Sequence, residues 1–360
     1  LPTSTPFALS TTKAVDEFKE AKFLGITTRP VLVGPITFLK LAKMRDGSDR
    51  WALLPKIIPV YQQLLKALGE AGAEWVQIDE PVLVSDLDAA TKDAFNNAYS
   101  ELTGGPKILL ATYFGALGDN LKTAAALPVA GLHIDLVRAP EQLVEVAKAI
   151  PKERFLSLGL INGRNIWKSG LTDAERLIEE AKKLHGEKLF VGPSCSLLHS
   201  PVDLGTETKL DAELRGWLAF ATQKLTEISA LANSANGKRD GAYFLENAQA
   251  VGSRVTSERI HDTVVKQRLA AVTPDMTERK TPFKERIALQ QSLLKLPLLP
   301  TTSIGSLPQT KEIRELRATF KKGGIDQASY EKALEDKTAE AMRWQDRIDI
   351  DVPVHGEYER

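Results

Sequence analysis

Cysteine is almost missing from this 360-residue chain: Cys195 stands alone. That excludes an internal disulfide framework and fits a reducing compartment, so the expected location is the cytoplasm. No apolar run approaches the roughly 18 residues that a membrane span needs. The opening LPTSTPFALSTT has no basic segment leading into an apolar one and is not a secretory signal. It also lacks an initiator Met, and the natural N-terminus is expected to lie before Leu1. An excess of one charge is absent too, since 47 Lys and Arg balance 47 Asp and Glu. Nothing therefore suggests a grip on nucleic acid or anionic lipid, which rests on clustered cations. Neither a Gly-x-Gly-x-x-Gly after a strand nor a GxxxxGK[ST] loop occurs, which counts against a dinucleotide fold or a P-loop.

What is present is ordinary soluble-globular material, 43% hydrophobic and 26% charged. Short apolar runs alternate with amphipathic segments. Pro30–Pro35, Trp75–Pro81, Ile108–Tyr113, Gly131–Val137, Arg154–Ile161 and Lys188–Gly192 read as strands. Between and after them, Val15–Leu24, Pro59–Ala71 (with Pro59 in its first turn), Leu121–Ala126, Pro140–Ile150, Asp173–His185 and Leu210–Leu231 read as helices. Such alternation marks parallel βαβ units. The strands are near-continuously apolar, which favours a sheet buried on both faces. A (β/α)8 barrel wants eight units, so two are expected to be missing from the front; a doubly wound open sheet is the competitor.

The polar, charged stretch from Asn233 onward reads as linker helices. The proline-bracketed seam Leu296–Thr310 follows, then helices near Lys311–Lys322 and Gln327–Arg347. A final strand is expected over Ile350–Glu357. The domain expectation is residues 1–232, linker 233–295, and a second αβ domain over 296–360.

Carboxyl ends of strands are where α/β proteins place chemistry. Asp79 and Glu80 end one strand; adjacent strand residues face opposite ways, so a shared acid/base role competes with one capping a turn. His133 and Asp135 share a face near Arg138, as an anion site or as a hydrogen-bonded internal layer. Asn162 and Ser306 also end strands. Cys195 and His199 are two possible metal ligands, short of the three or four that zinc needs. Gly163, Arg164, Asn165 and Lys168 form a basic loop suited to a carboxylate or phosphate, or simply solvated. In Ile304-Gly305-Ser306, glycine allows close approach to the backbone and serine adds donors. Glu357, ending the next strand, adds an acceptor. Donors for a carboxylate opposite an acceptor for an ammonium suit an amino acid; a tight turn with a solvated carboxylate is the plainer alternative.

The segments RPVLVGPITFLKLAK, EWVQIDEPVLV, ILLATYFG, GLHIDLVRAPEQL, LSLGLINGRNIWKS, FVGPSCSLLHSPVDL, LPTTSIGSLPQTKEIR and VHGEYER occur in this order. Through them the chain resembles the cobalamin-independent methionine synthase family. The resemblance implies two face-to-face (β/α)8 barrels: an N-terminally incomplete first barrel here, a linker, and the start of a second, catalytic barrel. It implies methyl transfer from 5-methyltetrahydropteroyl-polyglutamate to L-homocysteine, giving L-methionine, by a zinc-dependent enzyme that is a monomer at full length, with no nucleic-acid or membrane partner. Ile304, Gly305, Ser306 and Glu357 match the homocysteine-binding segments. The zinc ligands are expected beyond Arg360, so these 360 residues alone are expected to be inactive and metal-free. Tyr358 departs from the family's HGEPER pattern, where proline follows the glutamate. The alternatives are a non-catalytic scaffold barrel that supports folate polyglutamate binding, and an unrelated barrel enzyme with its site at Asp79 and Glu80.

Overall fold

The computed structural model describes residues 1–360 and divides into two compact units, Leu1–Asp262 and Thr263–Arg360. In the first unit, helix α1 (Lys13–Phe23) leads into strand β1 (Val31–Val33), α2 (Pro35–Leu41) and α3 (Leu54–Glu70). Next come β2 (Trp75–Asp79), α4 (Ala89–Glu101), β3 (Lys107–Ala111), α5 (Leu121–Ala126), β4 (Gly131–Asp135) and α6 (Leu143–Ala149). β5 (Phe155–Ile161), α7 (Leu171–His185), β6 (Leu189–Pro193), α8 (Ala212–Trp217), α9 (Ala221–Ala235) and α10 (Gly241–Thr256) complete it. The six strands form one sheet in sequence order, and each neighbouring pair is parallel. A doubly wound sheet reverses its strand order at a switch point. This order never reverses, so that competitor is excluded.

The two faces of the sheet differ. Val76, Ile78, Ile108, Leu110, Leu132, Ile134, Leu156 and Leu158 are buried in one continuous core with apolar residues of the surrounding helices. The alternate positions carry Trp75, Gln77 and Asp79, and then Gly131, His133, Asp135, Phe155, Ser157 and Gly159 in register. The near-continuous apolar runs thus hide a period of two: branched aliphatics outward, and small, aromatic and polar groups inward.

Side chains on the inner face show that the sheet is curled. The Trp75 ring of β2 lies 5.2 Å from Phe155 of β5 and 5.3 Å from Phe190 of β6. Three strand spacings in a flat sheet would hold β2 and β5 about 14 Å apart. Arg29, just before β1, reaches the same place, 5.7 Å from the Phe190 ring, and donates to Gln77 Oε1 at 3.1 Å. Gly131 permits the curl, because a Cβ there would stand 2.9 Å from Leu109 Cδ1.

Three sequence expectations change in the first unit. Helix α3 begins five residues before Pro59, so this proline lies inside the helix, with Pro55 in its first turn. The single helix expected over Leu210–Leu231 is broken into α8 and α9. Between them Leu218 forms an antiparallel bridge with Trp167, and the Ala219 N–H donates to the Ile166 carbonyl at 2.8 Å. Those bonds hold the backbone extended where helix propensity alone would have continued it. Helix α10, placed by sequence in the linker, packs on the first unit: Phe244 joins its core, and Asn247 Oδ1 accepts from Leu171 N at the start of α7.

The second unit holds α11 (Thr263–Ala270), α12 (Pro274–Thr277), α13 (Phe283–Leu294), α14 (Lys311–Lys321) and α15 (Gln327–Arg347). Thr310 caps α14 and Asp326 caps α15, each accepting from a backbone N–H of the first turn. The strand expected at Ile350–Glu357 is reduced to isolated parallel bridges, Thr302 with Val352 and Ser306 with Gly356. Positive φ at Asp349, Gly356 and Glu357, with Pro353 between them, prevents a continuous ladder. No helix of the chain is long and apolar enough to cross a membrane.

The Trp75–Phe155–Phe190 cluster is the contact most directly tied to the curl. Trp75→Ala is expected to lower unfolding free energy by about 3 kcal/mol, measured by urea titration. A loss under about 0.5 kcal/mol, the range of neutral surface changes, would mean that the curl does not depend on this cluster.

Candidate functional site

The parallel bridge between Ser306 and Gly356, continued by Leu307 N donating to the Gly356 carbonyl at 2.9 Å, sets two chain segments side by side. Their side chains meet as a result. Ser306 Oγ donates to Glu357 Oε2 at 2.6 Å, and Arg360 Nη1 approaches the same oxygen at 2.8 Å. Oε1 faces Gly305, 3.5 Å from where a Cβ would stand. Gly305 has φ of +115°, which a side chain would strain. Glu357 itself sits in the left-handed region at φ +55°. Three of the four sequence-picked residues therefore converge, while the Ile304 side chain is 98% exposed and lines nothing. Sequence reasoning missed Arg360 and Gln309, whose Nε2 donates to the Glu357 carbonyl at 3.3 Å.

The sheet of the first unit carries the other candidates. Asp79 and Glu80 point to opposite faces. Glu80, wholly buried, accepts from Ile36 N at 3.1 Å and Thr37 N at 2.7 Å in the first turn of α2, and from Tyr99 Oη at 3.1 Å. It caps the helix after β1. Gly34 is obligatory beside it, because a Cβ there would stand 2.0 Å from Glu80 Cδ. Burial pushes the Glu80 carboxyl up to about 7, against the downward pull of those hydrogen bonds. Asp79 on the inner face accepts from Gln77 Nε2 at 2.8 Å and Tyr113 Oη at 3.1 Å, and burial again raises its pKa.

His133 Nδ1 pairs with Ser157 Oγ at 2.8 Å, and burial lowers its pKa to about 4, so it is neutral near pH 7. Asp135 accepts from the N–H groups of Phe114, Val137 and Arg138. Through the first of these bonds it holds Phe114 at φ +79°. Phe114 carries the Arg164 guanidinium at 4.7 Å from its ring centre, with His199 at 6.0 Å on another side. Asn162 Oδ1 takes Arg164 N, and Asn165 Oδ1 takes the buried Lys224 Nζ at 3.0 Å. Cys195 is buried against Gly163, and burial pushes its thiol up. No three His, Cys, Asp or Glu side chains gather in a group able to hold a metal.

Comparison with known proteins identifies the family. The family model described as "Cobalamin-independent synthase, N-terminal domain" matches residues 1–186, and that described as "Cobalamin-independent synthase, Catalytic domain" matches residues 299–360. The chain belongs to the cobalamin-independent synthase family. A relative from Chelativorans sp. (strain BNC1) is 53% identical over 358 residues, 98% of this chain and 47% of the relative. One from Xylella fastidiosa (strain M23) is 52% identical with the same coverage. Both bear the name 5-methyltetrahydropteroyltriglutamate–homocysteine methyltransferase. The chain spans about half the length of the curated relatives it matches. Among solved structures, a B12-independent methionine synthase from Shewanella sp. W3-18-1, in complex with selenomethionine, aligns with a TM-score of 0.49. It has 15% identity, over 66% of this chain and 70% of that one.

Glu80 generates a pH prediction. Its folded pKa of about 7 exceeds the ordinary value of 4.5. The stability it contributes is therefore fully present below about pH 4.5. That contribution is lost as pH rises through 7, by about 3 kcal/mol in all. Glu80→Gln cannot ionise. The unfolding free energy of the unaltered protein minus that of the variant should fall steadily between pH 4.5 and 8, as followed by urea unfolding. A difference that stays flat across that range would contradict the buried, elevated carboxyl.

Proposed function

We propose that this chain serves methyl transfer from a 5-methyltetrahydropteroyl-polyglutamate to the sulfur of L-homocysteine, and that Gly305, Ser306 and Glu357 form its amino-acid subsite. The observation that carries the reading is the 2.6 Å contact between Ser306 and Glu357, within a chain of the cobalamin-independent synthase family. Glu357 Oε1 is positioned to accept from the α-ammonium, Ser306 Oγ holds the Glu357 carboxylate through Oε2, and Gly305 allows close backbone approach for the α-carboxylate. Arg360 orients the Glu357 carboxylate through Oε2. Ile304 contributes, on this reading, through its backbone alone.

The six strands of the first unit belong, in this proposal, to a (β/α)8 barrel, and residues 296–360 open a second. Sequential parallel order and the curl around Trp75 support the first barrel. So do Val31 and Val33 of β1, each 55% exposed on an edge that pairs only with β2. Zinc, implied by the resemblance, does not fit the donors present: Cys195 is the sole cysteine and no ligand group surrounds it. For the first unit a scaffold role is favoured by one observation. Glu80, Asp135 and His133 spend their hydrogen bonds on the protein itself.

The test joins this chain to the remaining length of the Chelativorans relative and follows methyl transfer from 5-methyltetrahydropteroyltriglutamate. Glu357→Gln is expected to lower kcat/KM for homocysteine by about 30-fold or more, the scale of a lost charge-assisted partner. The folate KM should be unchanged. Unaltered homocysteine kinetics in the variant would refute the assignment.

A further inference from the structure

Glu357 is held in a backbone conformation that a non-glycine residue adopts at a cost of about 1–3 kcal/mol, and such strain persists only where surrounding contacts over-determine it. The contacts that do so come from one side chain of the seam and one of α14. Gln309 Nε2 donates to the Glu357 carbonyl at 3.3 Å. Arg317 Nη2 donates to the next carbonyl, Tyr358 O, at 3.0 Å and to Gln309 Oε1 at 3.1 Å. Arg314 Nη1 closes on the Gln309 main-chain carbonyl at 2.6 Å. Gln309 and Arg317 are both half-buried, and Arg317 has no carboxylate within ion-pair distance. A guanidinium that spends its donors on one amide oxygen and one main-chain carbonyl is doing geometric work, since an ion pair would have been the more stabilising use of its charge.

From this geometry we infer that Gln309 and Arg317 are positioning residues for the amino-acid subsite: together they fix the two carbonyls after Gly356 and so aim the Glu357 carboxylate at Ser306. The inference rests on the reading of Glu357 as the ammonium acceptor. Gln309 is the link that matters most, because its amide donates to Glu357 through Nε2 and accepts from Arg317 through Oε1 at once. Arg317 fixes which way that amide is turned, because only its oxygen can receive the guanidinium. Neither residue touches the Glu357 carboxylate.

Gln309→Glu separates positioning from mere support of the fold. A carboxylate keeps, and charges, the bond from Arg317, but it has no donor for the Glu357 carbonyl and repels it. The melting temperature should be equal to or above that of the unaltered chain, while calorimetric affinity for L-homocysteine falls about tenfold, one lost hydrogen bond plus relaxed strain. The Glu357 HN–Hα coupling, read by NMR without ligand, should move away from its left-handed value. Arg317→Met should weaken binding in the same direction, with Arg317→Lys recovering part of it. Affinity within twofold of the unaltered chain and an unmoved Glu357 coupling in Gln309→Glu would overturn the inference. If the unaltered chain fails to bind L-homocysteine, or Glu357→Gln binds it equally well, the subsite reading itself falls and takes this inference with it. A changed coupling would then mark Gln309 as structural only.

Discussion

The unequal faces of the six-stranded sheet govern everything built on it. Parallel pairing in sequence order forces each crossover helix onto the same side, so one face must be aliphatic throughout to receive them. Val76, Ile78, Leu110, Ile134 and Leu158 meet that demand. The other face is then free of helices and curls inward. Gly131 and Gly159 leave it room, since a Cβ at Gly159 would stand 2.7 Å from the Ile134 carbonyl. Trp75, Phe155 and Phe190 fill one part, and Asp79, His133 and Ser157 bring polar groups to the rest.

The same division assigns opposite tasks to the neighbouring carboxylates Asp79 and Glu80. One residue's advance along a strand reverses the side chain. Glu80 falls among helices and satisfies two of the orphan N–H groups of α2, where a carboxylate also meets the positive end of the helix dipole. Asp79 falls among the inner polar groups and is held by Gln77 and Tyr113. Two acids at a strand end thus need not make an acid/base pair. The location of the first unit's polar groups at carboxyl edges reflects the fold, while their bonding reflects support of its loops.

Much of the first unit was legible because its signals are local. Each of the six apolar runs became a strand, and the order of the units followed from their alternation. What escaped were features decided by partners distant in sequence. The break between α8 and α9 is set by Ile166 and Trp167, some fifty residues upstream, and no periodicity within Leu210–Leu231 announces it. The membership of α10 in the first unit depends on Phe244 and Asn247 finding the core and the N-terminus of α7. The inward period of two was masked in β3 and at the start of β5 because neighbouring inner and outer positions are both apolar there, Leu109 beside Leu110 and Phe155 beside Leu156.

The candidate site shows the same limit in sharper form. Ser306 and Glu357 were found by residue type and by their places at the ends of two segments, and the parallel bridge brings them together. Sequence gave no reason to expect the left-handed backbone at Glu357, because a non-glycine residue pays for that conformation and propensity argues against it. The explanation lies in contacts across the pair of segments. A glycine at 356 with φ +94° turns the chain, and Gln309 then receives the carbonyl that the turn presents. A proline after the glutamate, the pattern from which Tyr358 departs, would fix φ at that position and remove an N–H, yet leave the carbonyl that Arg317 engages. The bond from Arg317 goes to a main-chain acceptor, so it does not depend on which side chain stands at position 358.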